Sequence, residues 1–201
     1  MLSIKGFAGG AVMGGRNHPN FVEQLARLVE LTPEPRISID WNLVEQRVGR
    51  CLPSDYKEFA ERFGPGHFGE YIWVAVPRGD APRVNLFNEL RETADLWEFL
   101  GAEQIAIEYP LYPAKNGLIP WGSTLDGQPL YWRTESNEPD DWTVLVDLMR
   151  GEGRWFEFTG SMTHFLYCIL TGRIFLPVLP DGFASERHGF IRFSPGPELQ
   201  Q

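Results

Sequence analysis

Gly49-Arg50-Cys51-Leu52-Pro53-Ser54-Asp55-Tyr56-Lys57-Glu58-Phe59-Ala60-Glu61-Arg62-Phe63-Gly64-Pro65-Gly66 is the stretch on which the fold turns. Proline is tolerated in the first turn of a helix, where its missing N–H would have no partner, and an acid there complements the dipole. Leu52-Pro53-Ser54-Asp55 therefore reads as a helix start. Tyr56, Phe59, Ala60 and Phe63 then recur at helical spacing and give the helix one apolar face. Gly64-Pro65-Gly66 stops it, with Gly64 suited to a left-handed C-cap.

Upstream, Asp40 is suited to cap a helix with Trp41, Val44 and Val48 as its stripe. Before that, Asn20 caps a helix to about Leu31, with Phe21, Leu25, Leu28 and Val29 on one face, ended by Thr32-Pro33-Glu34-Pro35. Downstream the period changes to that of strands. Residues 71–76 read as a strand containing Trp73, 83–87 as a short one, and Asn88 as the cap of a helix through Leu100. In that helix Leu90, Ala94, Trp97 and Leu100 form the apolar face. Residues 104–109 read as a strand. Asp126-Gly127 marks a two-residue turn joining 118–124 to 129–132. Strands follow at 142–149 and 154–158, and Ser161 caps a closing helix to about Leu170 with Phe165, Leu166 and Ile169 inward. The last thirty residues read as mostly irregular. This order, with strands too close for repeated crossovers, predicts an α+β fold of N-terminal helices, a largely antiparallel central sheet and a closing C-terminal helix. Residues 1–19 read as a flexible Gly-rich leader, 20–193 as a single domain and 194–201 as a tail.

The helix-plus-glycine segment resembles the N-terminal signature of the SUKH superfamily (SMI1/KNR4-like): an aliphatic-Pro-x-acid-Tyr-x-x-Phe helix followed by a Gly-rich turn. Residues 119–124 with Asp126-Gly127 resemble the family's central hairpin, and residues 161–170 its closing helix. The likeness covers about residues 40–172, so neither the leader nor the tail inherits a role from it. It assigns structural roles to Trp41, Leu52, Pro53, Tyr56, Phe59, Gly64, Gly66 and Trp73. It also implies a protein-binding function. Bacterial members are mostly immunity proteins that block toxins, many of them nucleases, by direct association; fungal relatives act through protein contacts.

The chain is acidic, with a formal net charge of −9. The first hundred residues carry 11 bases and 14 acids, the remainder 7 and 13. Such a chain repels phosphate backbones, which argues against a nucleic-acid partner, and it is steered toward basic proteins. No apolar run approaches the roughly 20 residues of a membrane span. The N-terminus lacks the apolar core of a signal peptide. Cys51 and Cys168 read as buried free thiols in a reducing cytoplasm.

Residues 134–149 hold Glu135, Glu138, Asp140, Asp141 and Asp147 and no base. Two readings stand. An acidic loop can present carboxylates where a nuclease holds phosphates, and acids also collect in ordinary solvated turns. On the first, Glu135, Glu138, Asp140 and Asp141 supply charge, and Trp132 or Trp142 an apolar anchor. The tryptophans are open to two readings as well, a row for stacking sugars or the core. Catalysis finds little footing. His164 has no adjacent nucleophile motif, His18, His67 and His188 stand alone, and Cys168 sits in apolar sequence that makes a thiol inert. No phosphate loop, paired zinc ligands or cofactor motif occurs. The expectation is a binding protein without metal or cofactor, not an enzyme.

Overall fold

The structure is a computed structural model, and it describes residues 20–79, 81–104, 108–149, 154–185 and 189–193. The fold is α+β. Among the described residues, five α-helices pack on a seven-stranded sheet whose strand pairs are all antiparallel. The helices are α1 (Phe21–Leu28), α2 (Trp41–Val48), α3 (Ser54–Phe63), α4 (Leu86–Ala102) and α5 (Met162–Leu170). The strands are β1 (Gly66–Phe68), β2 (Ile72–Val74), β3 (Leu118–Thr124), β4 (Pro129–Arg133), β5 (Thr143–Asp147), β6 (Trp155–Phe158) and β7 (Phe190–Arg192). Their order is β6-β5-β4-β3-β2-β1-β7: a meander to which the last strand returns.

Side chains alternate across a strand, and this divides the sheet into two faces. Leu130 and Trp132 of β4, Val144 and Val146 of β5, and Ile72 and Val74 of β2 point into the main core with α1, α3 and α5. Tyr131 and Leu145 point the other way. There they meet Leu118 in a smaller cluster partly covered by Trp97 of α4, Tyr109, Leu111 and Trp155. An extra residue in β3, between Pro120 and Gly122, bulges the strand opposite β4. The bulge leaves Trp121 wholly buried in the main core.

The local signals set most boundaries. Asn20, Asp40 and Ser161 cap α1, α2 and α5 as their side chains predict. α1 ends three residues earlier than expected, and Val22 rather than Phe21 is its core residue at that turn. Gly64 adopts the positive φ of 73° that favours glycine, but its ψ of −169° sends the chain out extended instead of into a left-handed cap. The 83–87 strand is replaced by a 3-10 turn at Pro82–Val84 and the start of α4. Asn85, not Asn88, is the cap: its Oδ1 accepts from the N–H groups of Phe87 and Asn88. Both asparagines have the same chemistry, and the earlier one lets Leu86 be buried. The hairpin loop has three residues, 125–127, with Gly127 at φ 87° taking the left-handed position.

Of the expected strand at 104–109, residues 105–107 lie outside the described residues, as do the leader 1–19 and the tail 194–201. The C-terminal region departs from expectation most: residues 190–192 form β7, an edge strand paired with β1. β7 also accounts for Gly66. A Cβ on Gly66 would stand 2.3 Å from the Ile191 carbonyl oxygen, so only glycine admits the strand there.

Candidate partner-binding surface

The motif that opened the sequence reading is spent on the fold. Leu52, Tyr56 and Phe59 are buried in the main core, and Pro53 is buried beside them. The Tyr56 hydroxyl donates to the Ala75 carbonyl at 2.8 Å, tying α3 to the end of β2. Asp55 reaches α5: its Oδ2 accepts from the Thr163 N–H at 2.9 Å and hydroxyl at 2.8 Å. Trp41 donates to Glu61 at 2.7 Å and meets Tyr56 edge-on. Trp73 is half-buried, packs on His67 with centroids 4.4 Å apart, and donates to the Glu70 carbonyl.

The acidic segment between β4 and β5 is anchored from below. Arg50 donates to the Ser136 carbonyl at 2.6 Å, as does the Trp142 indole at 2.9 Å. The Arg50 guanidinium lies over the Trp142 ring, 5.0 Å from its centroid. Most of the acids already have work inside the molecule. Asp140 Oδ1 accepts from the Ser54 N–H at 2.6 Å, capping α3 where Pro53 offers no side-chain acceptor. Glu135 accepts from the Thr143 hydroxyl and lies 3.5 Å from Arg133. Asp147, 1% exposed, is held by Arg154 and the Met149 N–H. Glu138 and Asp141 are exposed, with no side-chain hydrogen bond or ion pair among the described residues. Trp132 and Trp142 are 1% and 2% exposed, which corrects their assignment as surface anchors: alternation turns Trp132 inward, and Trp142 closes the same core. Trp121 is buried with them, so these three tryptophans belong to the core and not to a row for stacking sugars.

Among the described residues the groups with chemical potential do not converge. His164 stacks on Phe21 at 4.1 Å, and burial, then the nearby Arg173 charge, lower its pKa. Burial likewise lowers that of His67, whose Nδ1 accepts from the Glu70 N–H. Burial raises the Cys168 thiol. Cys51 is exposed rather than buried, because the residue lies past the end of α2, in the link to α3. His18 and His188 lie outside the described residues. Among the described residues no group of three or more His, Cys, Asp or Glu is placed to hold a metal. Two adjoining clefts, of about 270 and 210 Å³, are formed with residues 172–184. Tyr71 and Asp126 are the titratable side chains among the residues that line them.

One surface escaped the sequence reading. The apolar face expected for α4 was Leu90, Ala94, Trp97 and Leu100. Trp97 does cover the smaller cluster and donates to the Tyr109 carbonyl at 3.1 Å. Ala94, however, is exposed, and Leu96 and Phe99 stand out in solvent at 37% and 58% exposure. The available signal was an excess: α4 carries more large apolar residues than one stripe requires.

An antiparallel sheet with a helix-filled core on one face and the motif residues committed to packing is the architecture of an α+β module. The chain belongs to the SUKH family: the family model described as SMI1-KNR4 cell-wall matches residues 39–166, well over half of the sequence. Neither the comparison with curated proteins nor that with solved structures gave a match. Among the described residues no helix is long and apolar enough to cross a membrane.

Proposed function

We propose that this chain is a protein-binding module of the immunity type, which neutralises a basic toxin domain, a nuclease by preference, by covering its working surface in the cytoplasm. No bond is made or broken, and no metal or cofactor takes part. The observation that carries the reading is the family match over residues 39–166. The net charge of −9 selects the class of partner, since an acidic binder is steered toward the cationic surface with which a nuclease holds phosphates. The acidic segment contributes through Glu138 and Asp141, its two side chains free to face outward.

The test is co-expression with the product of the neighbouring reading frame. Protection of growth from that product's toxicity, with the two chains co-eluting as a complex, is the expected result. Failure both to protect and to associate would remove the immunity reading and leave a regulatory or scaffold module of the same fold.

A further inference from the structure

We infer that the outward face of α4 is a docking surface for a cationic amphipathic protein segment. The inference rests on the protein-binding reading and names the surface and the chemistry of the partner.

Glu92, Leu96, Phe99 and Glu103 follow one another at steps of four, three and four, which sets them along one side of the helix. Leu96 and Phe99 are the exposed apolar centre of that stripe. Asp95 and Glu98, also exposed, flank it. From residue 92 to residue 103 there are four acids and no base, and the next base in the chain is Lys115. The surface is therefore apolar at its middle and anionic around its rim.

A second observation points the same way. The C-terminal end of a helix carries partial negative charge, so acids there are unfavourable and bases favourable. α1, α2 and α3 follow that rule with Arg27, Arg47 and Arg62 in their last turns. α4 breaks it. It has no base in its last turn, while Glu98 and the C-capping Glu103 add charge of the same sign as the dipole end. Among the described residues no ion pair to Glu98 or Glu103 relieves the repulsion. Lysines or arginines supplied by a partner would relieve it while an apolar side chain covers Phe99. An anionic or purely apolar partner would satisfy only part of this arrangement.

Anisotropy of a fluorescein-labelled Lys/Leu amphipathic helix of about 18 residues, titrated with the full chain, tests the inference. Binding should weaken about tenfold or more in Leu96→Ser/Phe99→Ser. It should weaken in Asp95→Lys/Glu98→Lys and fall with added salt. Asp126→Lys/Asp181→Lys, the same change of charge on exposed acids outside α4, should stay within about twofold of the parent. A Glu/Leu peptide of the same apolar pattern should not bind. Because these four α4 side chains are exposed, melting curves should show the variants folded. The inference fails if the parent does not bind the Lys/Leu peptide, if the α4 variants bind it equally well, or if the Glu/Leu peptide binds as tightly. If a co-expressed toxin is still bound and neutralised by both α4 variants, the surface is wrong while the functional reading survives. If the toxin is bound by no form of the chain, that reading fails on its own.

Discussion

The two faces of the sheet bury side chains of similar size but differ in how much apolar surface they leave exposed. On the main face, Tyr56, Phe59, Phe63, Trp121 and Trp132 are essentially inaccessible, α1, α3 and α5 pack on one another, and the Tyr56 hydroxyl has its acceptor. On the other face only Leu118, Tyr131 and Leu145 form a fully buried cluster. Among the described residues the Tyr131 hydroxyl has no partner, and α4 leaves Leu96 and Phe99 outside. The difference teaches where this fold keeps its stability and where its surface remains available for exchange. A large aromatic on the main face is committed to the chain itself, while one on the outer side of α4 can be given to another molecule.

The sharpest way to break that comparison is to remove one phenylalanine from each side. Phe59→Ala should lower the unfolding free energy by about 3–5 kcal/mol, read from urea denaturation, because a buried ring leaves a cavity. Phe99→Ala should change it by no more than about 0.5 kcal/mol. Equal losses would mean that Phe99 is a packing residue and that the outer face is not available.

Glu89 sharpens the contrast through pH. It lies near the start of α4, and its pKa is raised from 4.5 to about 7, by burial first and then by Glu92, with Arg83 opposing. The folded state thus holds a proton that the unfolded chain has released between about pH 4.5 and 7. Stability from this group is complete below pH 4.5 and is lost as pH rises through 7. Glu89→Gln should flatten that slope and raise stability at pH 8 by about 1–2 kcal/mol, allowing for the group's partial access to water. An unchanged pH profile would show that the carboxyl is better solvated than its place in the first turns of α4 implies.

The buried tyrosines provide a matched pair. Tyr56→Phe should cost about 1–1.5 kcal/mol, since the Ala75 carbonyl loses a donor. Tyr131→Phe should be close to neutral, because no protein acceptor is lost. Equilibrium denaturation of both variants under one condition checks the difference.

What was legible in the sequence was local. Pro53, the Tyr56-Phe59-Phe63 stripe and Gly64 state their own business within twelve residues, and α3 forms accordingly. The Asn20, Asp40 and Ser161 caps are local too. Asn85 and Asn88 show the limit: two residues with one chemistry, decided by which start buries Leu86. β1 and β7 were missed because three residues such as Gly66-His67-Phe68 show no period, and their pairing spans more than a hundred residues. The reason for Gly66 is the Ile191 carbonyl above it, which only the folded chain supplies. The candidate site was less legible still. Composition exposed the acids of 135–147, but not that Asp140 and Asp147 have partners; composition could not turn Trp132 inward either. Helical spacing chose one stripe of α4 and was silent on which other apolar residues remain uncovered.

The smallest effect separates neighbours in the acidic segment. Asp140 and Asp141 are both exposed, adjacent and of one charge, so an argument from charge alone treats them alike. Only Asp140 reaches the Ser54 N–H at the start of α3. Asp140→Ala should cost about 0.5–1 kcal/mol, toward the lower end expected for a lost helix cap because the contact is open to water, whereas Asp141→Ala should cost less than about 0.3 kcal/mol. Asp140→Asn should recover most of the loss, because an amide oxygen caps nearly as well as a carboxylate. Equal destabilisation by the two alanine variants would make the effect one of loop charge rather than capping, and would return Asp140 to the side chains free to meet a partner.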